Sequence, residues 1–251
     1  MAEKGTILIS AGGTGGHLFP AEALAQELKA RGWSVPLATD ERATRYADRF
    51  PEDRLHVIRS ETPSGKNPVK LVSAMWALFV GMRQSSGLLK VLKPKAVVGF
   101  GGYPTVPPLW SAAGVFPTVI HEQNAVMGRA NRMLSGRVTA IAGGFLKAEG
   151  PLADKIVETG NPVRPAVIAA SGKPYEAPTR DGPLKLVVFG GSQGARFFSD
   201  TIPEAVALLP DDLRIRMEIV QQARPEDEER VKARYRELGV TADVSPFFSD
   251  L

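Results

Sequence analysis

The sequence predicts an α/β protein made of two doubly wound parallel-sheet domains that face a cleft, the second of them incomplete. Three observations lead to this fold class. Short apolar runs alternate with helix-period segments, a glycine-rich loop follows a strand in each half, and a stretch rich in proline and glycine separates the halves. Such alternation favours parallel βαβ units with right-handed crossovers. We therefore place the first domain at 1–160, the linker at 161–183 and the second domain at 184–251.

Six apolar runs in the first half are predicted strands: 6–10, 34–39, 55–58, 96–100, 118–121 and 138–141. Three segments have helical periodicity: 20–31, 69–92 and 125–134. Pro20 at the first turn and Gly32 just past the end are typical helix boundaries. Glycine is a poor helix former, so the second helix is expected to break near Gly81 or Gly87.

After the linker the pattern restarts as a weak internal repeat of strand, glycine loop and helix. The predicted strands are 184–189, 214–220 and 242–248, and the predicted helices are 195–209 and 225–238. Three strands and two helices would leave a sheet edge and part of a sheet face uncovered. We therefore expect the chain to stop within its second domain.

Composition narrows the class of protein and of partner. The 31 basic and 27 acidic residues give a net charge of +4, which favours an anionic substrate or membrane surface over nucleic acid. The absence of cysteine excludes disulfides and thiolate metal sites and favours an intracellular enzyme. No apolar stretch reaches about 18 residues, so no membrane-spanning helix is expected. The histidines His17, His56 and His121 lack paired ligand spacing, so no metal is predicted.

Two glycine-rich loops connect a predicted strand to a predicted helix. The first, 12–17, contains Thr14 and His17, and the second is 190–194. Glycines let backbone N–H groups approach a phosphate, and two helix N-termini on one cleft suit a diphosphate leaving group without a metal. The dinucleotide fingerprint fails, because Leu18 occupies a position that needs glycine or alanine. Each loop could instead be a tight turn without a ligand.

Three further strand ends carry polar or glycine-rich segments. His-Glu-Gln-Asn at 121–124 could contact a sugar or transfer a proton, or Asn124 could simply cap a helix. Arg164, in Gly-Asn-Pro-Val-Arg at 160–164, could reach a phosphate or be solvated. The loop 99–104, Gly-Phe-Gly-Gly-Tyr-Pro, could be purely structural.

Together these motifs resemble the MurG family, N-acetylglucosaminyltransferases of the GT-B fold in glycosyltransferase family 28. The similar motifs are Gly-Gly-Thr-Gly-Gly-His at 12–17, Gly-Gly-Tyr at 101–103, His-Glu-Gln-Asn at 121–124, Gly-Asn-Pro-Val-Arg at 160–164 and Gly-Gly-Ser-Gln-Gly-Ala at 190–195. The resemblance covers the chain from end to end, and it implies that 1–160 binds the acceptor and the membrane and that 184–251 binds UDP-GlcNAc. It implies inverting transfer of GlcNAc from UDP-GlcNAc to the C4 hydroxyl of lipid I, giving lipid II. It implies no cofactor and no nucleic acid, and a peripheral position on the cytoplasmic face of the bacterial inner membrane.

The resemblance also implies roles for single residues. It places a donor-binding set around the sugar, the phosphates and the uracil: Thr14, Gly15, Gly16, Asn124, Arg164, Ser192 and Phe248. His17 is the candidate general base near the acceptor, and Glu122 is its rival. Family members continue past the position of Leu251 with a glycine-containing loop, a carboxylate that holds the ribose and a glutamine near the donor sugar. A truncated, inactive sugar-nucleotide-binding module is therefore an alternative.

A lipid-anchored acceptor requires a membrane-facing surface. Met75, Trp76 and Phe79 fall near helical spacing, with Met82 and Arg83 beyond them, and lysines flank the segment at 66, 70, 90, 93 and 95. This pattern fits a peripheral site on anionic lipid. A buried core helix with solvated lysines would give a similar periodicity.

Two other enzyme classes remain compatible with the residues. A UDP-GlcNAc epimerase would have the same architecture but would need no lipid acceptor. An NAD(P)-dependent oxidoreductase would use Asp40, at the end of the second predicted strand, to hold a ribose.

Overall fold

The computed structural model shows two compact units, residues 1–172 and 173–251, each with its own parallel sheet. The two sheets confirm the predicted α/β class. The predicted linker, 161–183, contributes its first part to the first unit and the rest to the second. The structure describes the residues 4–13, 15–41, 50, 55–63, 67–190 and 196–248.

The sheet of the first unit consists of parallel strands. They are β1 (Ile7–Ser10), β2 (Leu37–Thr39), β3 (Leu55–Val57), β4 (Ala96–Gly99), β5 (Thr118–Glu122), β6 (Ala140–Gly143) and β7 (Ile156–Glu158). The seven strands lie in the order β3-β2-β1-β4-β5-β6-β7. The order reverses between β1 and β4, which pair in parallel with Ser10 opposite Gly99. In doubly wound sheets such a reversal opens a crevice at the carboxyl ends of the strands.

Helices cover both faces of this sheet. They are α1 (Gly15–Ala30), α2 (Pro68–Leu92), α3 (Val106–Ala112), α4 (Arg129–Ser135) and α5 (Pro165–Ser171), with short 3₁₀ helices at Tyr103–Thr105 and Gly150–Lys155. Consecutive residues of β1 belong to different cores. Leu8 packs in a cluster with Leu89, Leu109 and Leu134 of α2, α3 and α4. Ile9 packs with residues of α1, Leu18 among them. A strand buried on both faces explains the continuous apolar runs.

Two predicted helix features are wrong in ways that bear on function. Helix α1 begins at Gly15, five residues before the predicted start, and contains Pro20 in its interior. The end of the glycine loop is therefore already helical and carries His17. Helix α2 is continuous through Gly81 and Gly87. Gly81 permits close packing, because a side chain there would collide with the Arg59 carbonyl and crowd Pro107.

The second unit contains a smaller sheet. Its strands are β8 (Leu184–Val188), β9 (Met217–Gln222) and β10 (Thr241–Ser245), and its helices are α6 (Arg196–Ala207), α7 (Asp211–Arg214) and α8 (Glu228–Glu237). The three described strands are parallel in the order β10-β9-β8. Val206, Ile219 and Val231 pack in its core, where the Tyr235 hydroxyl donates a hydrogen bond to Gln221.

Within the described residues, no helix is both long and apolar enough to cross a bilayer. Within the same ranges, no three His, Cys, Asp or Glu side chains are grouped in a way that could hold a metal ion.

Candidate active site

The candidate site lies at the carboxyl ends of β1, β4 and β5 in the first unit. Here the loop after β1 approaches Gly101 and Gly102, which follow β4 and have positive φ angles of 91° and 75°. Only glycine adopts such angles without strain. A Cβ on Gly102 would lie 3.1 Å from the Gly12 carbonyl oxygen, so the two loops are in close contact.

His17, in the first turns of α1, packs its ring against this glycine pair. A Cβ on Gly101 would lie 3.3 Å from its Nδ1, and a Cβ on Gly102 would lie 3.3 Å from its Cδ2. The Nδ1 atom is buried and makes no hydrogen bond to a described residue. Burial lowers the pKa of His17, while Gln123, the charge of Glu122 and the Phe100 carbonyl act in the opposite direction. The imidazole is therefore neutral near pH 7 and can accept a proton.

Glu122, at the end of β5, is 2% exposed and accepts four hydrogen bonds. Its Oε1 accepts from the backbone N–H and the side-chain amide of Asn124, both at 3.1 Å. Its Oε2 accepts from the Gly128 N–H and the Asn131 amide, both at 2.9 Å. Burial raises the pKa of Glu122, but these four hydrogen bonds outweigh it and hold the pKa below its ordinary value. Both oxygens are engaged, so this carboxylate organises its loop and is a poor proton acceptor.

His121 and Gln123 form a buried polar chain beside Glu122. The His121 Nε2 lies 3.1 Å from the Gly160 carbonyl oxygen and therefore donates, and its Nδ1 accepts from Gln123 Nε2 at 3.2 Å. Gln123 Nε2 also donates to the Phe100 carbonyl at 2.9 Å. Burial lowers the pKa of His121, which agrees with this neutral form. The chain links the ends of β4, β5 and β7.

Asp40, which follows β2, is hydrogen-bonded to the first glycine loop. Its Oδ1 accepts a hydrogen bond from the Gly13 N–H at 3.2 Å, and it is buried. A Cβ on Gly12 would lie 2.7 Å from the same oxygen, so Gly12 is needed for this approach. The carboxylate thus holds the first glycine loop through one of its backbone N–H groups.

A small groove lies beside His17 in the same unit. It has a volume of about 240 Å³, and the residues that line it include Gly16, Phe19, Gln123, Asn161, Arg164 and Val167. The Arg164 guanidinium lies 4.5 Å from the centre of the Phe19 ring, a cation–π contact that orients the charge. Asn161 donates to the Gln123 carbonyl at 3.3 Å. The groove therefore places one oriented cation and amide groups next to the first turn of α1.

The predicted site residues that the structure describes fall in both units. Gly15, Gly16, His17, Glu122, Asn124 and Arg164 belong to the first unit, and Asn124 is exposed at the rim with its amide held by Glu122. Phe248 belongs to the second unit and follows β10, partly buried. Thr14 and Ser192 lie outside the described residues. Sequence reasoning missed Asn131, seven residues beyond the motif at 121–124, because it lies on α4 without a motif of its own.

Helix α2 carries its large apolar residues on the exposed side. Met75, Trp76 and Phe79 are 61%, 59% and 46% exposed, and the Trp76 and Phe79 rings stack with centroids 5.6 Å apart. The buried positions of α2 are mostly small, with Ala74, Ala77, Gly81 and Ser85 facing inward. The alternative of a buried core helix is therefore wrong within this unit. A cluster of exposed large apolar side chains is typical of an interaction surface.

Family models match both units. The glycosyltransferase family 28 N-terminal domain matches residues 7–143, which is more than half of the chain. The glycosyltransferase family 28 C-terminal domain matches residues 185–251. The chain belongs to glycosyltransferase family 28. The first match spans β1 to β6 and hence the carboxyl ends of the strands beside which His17 and Glu122 lie.

Individual proteins that are similar to this chain carry the name of an N-acetylglucosamine transferase or of MurG. A Chelativorans protein named UDP-N-acetylglucosamine–N-acetylmuramyl-(pentapeptide) pyrophosphoryl-undecaprenol N-acetylglucosamine transferase is 63% identical over 98% of this chain and 66% of its own length. The crystal structure of MurG from Acinetobacter baumannii is 27% identical, with a TM-score of 0.66 over 98% of this chain and 67% of that chain. The present chain thus spans about two thirds of the length of these family 28 proteins.

The epimerase alternative shares the fold with family 28 but little sequence. UDP-N-acetylglucosamine 2-epimerase from Rickettsia bellii matches 98% of this chain and 69% of that chain with a TM-score of 0.59 at 13% identity. Identity at this level shows the architecture alone. The higher sequence identity lies with the N-acetylglucosamine transferase, so the epimerase reading has less support.

Proposed function

We propose that this family 28 chain is an inverting N-acetylglucosaminyltransferase that acts on UDP-GlcNAc and lipid I. In this reaction the C4 hydroxyl of the muramyl sugar attacks C1 of GlcNAc. The hydroxyl loses its proton to a base, the new C–O bond forms, and the bond between C1 and the phosphate oxygen breaks. UDP leaves with the electron pair, and the configuration at C1 inverts. The 63% identity to a protein that carries this name supports the proposal.

His17 is the observation that carries the mechanism. It is held against the positive-φ glycines 101 and 102 at the sheet edge where doubly wound folds bind ligands, and burial keeps its imidazole neutral. A neutral imidazole is a suitable base near pH 7, and a positioned base contributes about 10²- to 10⁴-fold to rate. Glu122 spends both oxygens on hydrogen bonds, so we assign it the role of holding Asn124 and the loop that follows.

We assign the phosphate and sugar part of the donor to the groove beside His17. Arg164, oriented by the Phe19 ring, is the cation available to a phosphate. The exposed Asn124 amide gives one N–H to Glu122, and its second N–H and its carbonyl oxygen are available to the sugar. Thr14, Gly15, Gly16, Ser192 and Phe248 remain proposed donor contacts by family resemblance. UDP departure would be stabilised by such N–H groups and by the guanidinium.

The test measures UDP release and the disaccharide product from UDP-GlcNAc and a soluble lipid I analogue. Transfer that requires the acceptor, and that falls about 100-fold or more in His17→Ala, would support the proposal. The Chelativorans relative serves as a positive control for the substrates. No transfer by a folded chain under conditions in which the relative transfers would refute catalysis by this chain. Conversion of UDP-GlcNAc without an acceptor would favour the epimerase.

We further propose that the exposed face of α2 binds an anionic membrane surface, the cytoplasmic face of the plasma membrane. Trp76 and Phe79 supply apolar contact, and the exposed Lys70, Arg83 and Lys90 supply positive charge on the same helix. Co-sedimentation with phosphatidylglycerol-containing vesicles should fall at least about tenfold in the Trp76→Ser, Phe79→Ser double variant. Ile215→Ser, an exposed apolar position of the second unit, is the matched control and should bind normally. Equal binding by both variants would refute this surface.

A further inference from the structure

We propose that a polar cavity between the end of β3 and helix α2 is the subsite for the peptide of the acceptor, and that Arg59 binds a carboxylate of that peptide there. The assignment rests on the proposed function, since it takes as acceptor the muramyl-(pentapeptide) compound in the name of the Chelativorans relative. The cavity has a volume of about 840 Å³, within the range of about 300–1,000 Å³ that is typical of ligand pockets. It lies in the first unit and shares no described residue with the groove beside His17.

One end of the cavity reaches the loop beside the candidate base. Asp40 lines the cavity, and its Oδ1 accepts a hydrogen bond from the Gly13 N–H at 3.2 Å. The carbonyl of Gly12 lies close to Gly102, against which His17 packs. A peptide on a muramyl sugar starts from the lactyl group on C3, the carbon next to the reacting C4 hydroxyl. An acceptor whose C4 hydroxyl meets His17 therefore has the start of its peptide near this end of the cavity.

The opposite wall of the cavity belongs to the helix that carries the proposed membrane surface. Lys70, Ser73 and Gln84 line the cavity from α2. Trp76 is exposed and lies about one helical turn beyond Ser73. A lipid-anchored acceptor that lies against α2 and reaches the carboxyl ends of the strands therefore passes the cavity.

The charges that line the cavity fit a peptide better than a diphosphate. Arg59 and Lys70 are exposed cations, and neither forms an ion pair with a described residue. Glu41 and Glu61 line the same cavity, and their negative charges would repel a diphosphate. A peptide instead combines a carboxylate with uncharged amide groups. A guanidinium binds a carboxylate through two parallel hydrogen bonds, so Arg59 is the side chain suited to this end of the peptide.

Neutral polar groups around Arg59 are held in place by the protein. The Arg59 backbone N–H donates to Gln84 Oε1 at 2.9 Å, which leaves the NH₂ group of the exposed Gln84 side chain as a donor. Ser73 Oγ donates to Glu61 Oε2 at 3.2 Å and fixes that carboxylate on the α2 side. The cavity thus offers a cation for a carboxylate and an amide donor for a peptide carbonyl.

Calorimetric titration tests the subsite without turnover. The soluble probes are N-acetylmuramyl-pentapeptide, the same compound with its carboxylates amidated, and the peptide-free methylamide of N-acetylmuramic acid. Arg59→Gln should weaken binding of the first probe at least about fivefold and leave the other two unchanged, because only the first carries a carboxylate for the guanidinium. Arg59→Lys keeps the charge and should recover most of the affinity. Arg31→Gln is the matched control, because Arg31 pairs with Glu27 in solvent just past the end of α1, and it should bind all probes as the parent does.

Equal affinity of the parent chain for the three probes would overturn the subsite. An Arg59→Gln loss that is the same with and without the peptide would also overturn it, because Arg59 would then bind another part of the acceptor.

Transfer assays separate the subsite from the proposed function. With a soluble lipid I analogue, Arg59→Gln should raise the KM for the peptide-bearing acceptor by the factor seen in calorimetry, with kcat and the KM for UDP-GlcNAc unchanged. Peptide binding that depends on Arg59 in a chain that transfers no sugar would uphold the subsite and refute the proposed function alone. Transfer with one acceptor KM, whether or not the peptide or Arg59 is present, would refute the subsite alone.

Discussion

Replacing Glu122 by glutamine should destabilise the first unit strongly, whatever it does to catalysis. Each carboxylate oxygen accepts two hydrogen bonds, from Asn124 on one side and from Gly128 and Asn131 on the other. A glutamine must turn its NH₂ group toward one of these pairs, so two hydrogen bonds are lost and donors face donors. Hydrogen bonds to a charged group contribute about 1.5–3 kcal/mol each, so the expected loss is about 3–6 kcal/mol. That is a large part of the about 5–15 kcal/mol that stabilises a typical domain.

Urea unfolding followed by tryptophan fluorescence measures this loss, because Trp33, Trp76 and Trp110 all lie in the first unit. Glu158→Gln is the matched control. Glu158 ends β7, two strands from β5 in the same sheet, and is paired with Lys147 at 3.0 Å in solvent, so its replacement should change stability little. A Glu122→Gln chain that unfolds within about 1 kcal/mol of the parent, yet transfers no GlcNAc, would refute the structural role and make Glu122 the proton acceptor.

Three further outcomes are expected. Gly102→Ala should destabilise the first unit by about 1–3 kcal/mol and abolish most transfer, because the new side chain would meet His17 and the Gly12 carbonyl. Gly114→Ala is the control: its φ is 81° and the space around it is open, so it should lower stability without affecting transfer. Urea midpoints measured from pH 8 to pH 5.5 should decrease as the pH drops below about 6.5. Burial holds the pKa values of His17 and His121 under their ordinary 6.5, so the unfolded chain takes up protons first; His121→Asn should flatten this slope. Calorimetric titration with UDP-GlcNAc should show weaker binding in Gly144→Ala, whose side chain would displace Asn161 and the segment that carries Arg164, whereas Gly136→Ala should bind normally.

Periodicity and turn chemistry predicted the described strands except β7, which has no counterpart among the predicted runs, and predicted the helices unevenly. The apolar run before Gly12 and the run before Gly99 are strands because both of their faces are buried, a pattern that is readable without the structure. Helix α3 was not predicted; Pro107 and Pro108 lie in its first turn, where proline is tolerated. Helix α5 was missed because its segment lies in the proline- and glycine-rich stretch that was predicted to be a linker, although proline is favoured at a first helical position such as Pro165.

The residues that form the site were more predictable than the hydrogen bonds among them. The motif at 121–124 and the loop at 12–17 drew attention to His17, Glu122 and Asn124, and the structure brings these residues to one sheet edge. The sequence could not tell which carboxylate or imidazole already accepts hydrogen bonds from the protein. That difference depends on Asn131 and on the Gly128 N–H, which reach Glu122 only through the turn into α4. Long-range hydrogen bonds of this kind leave no local pattern.

The two carboxylates of the site show that hydrogen-bond partners, and not residue type, decide which group can accept a proton. Asp40 and Glu122 are both buried acids at strand ends, and residue type alone makes either one a candidate base or ribose ligand. Asp40 is directed at the Gly13 N–H and shapes the first glycine loop, while Glu122 gathers Asn124 and the start of α4. With both acids committed to backbone groups, a histidine kept neutral by burial is the group left to take a proton at this edge. A reaction that needs one base and no acid from the protein fits such a site, because the UDP leaving group needs positive charge and N–H groups rather than a proton donor.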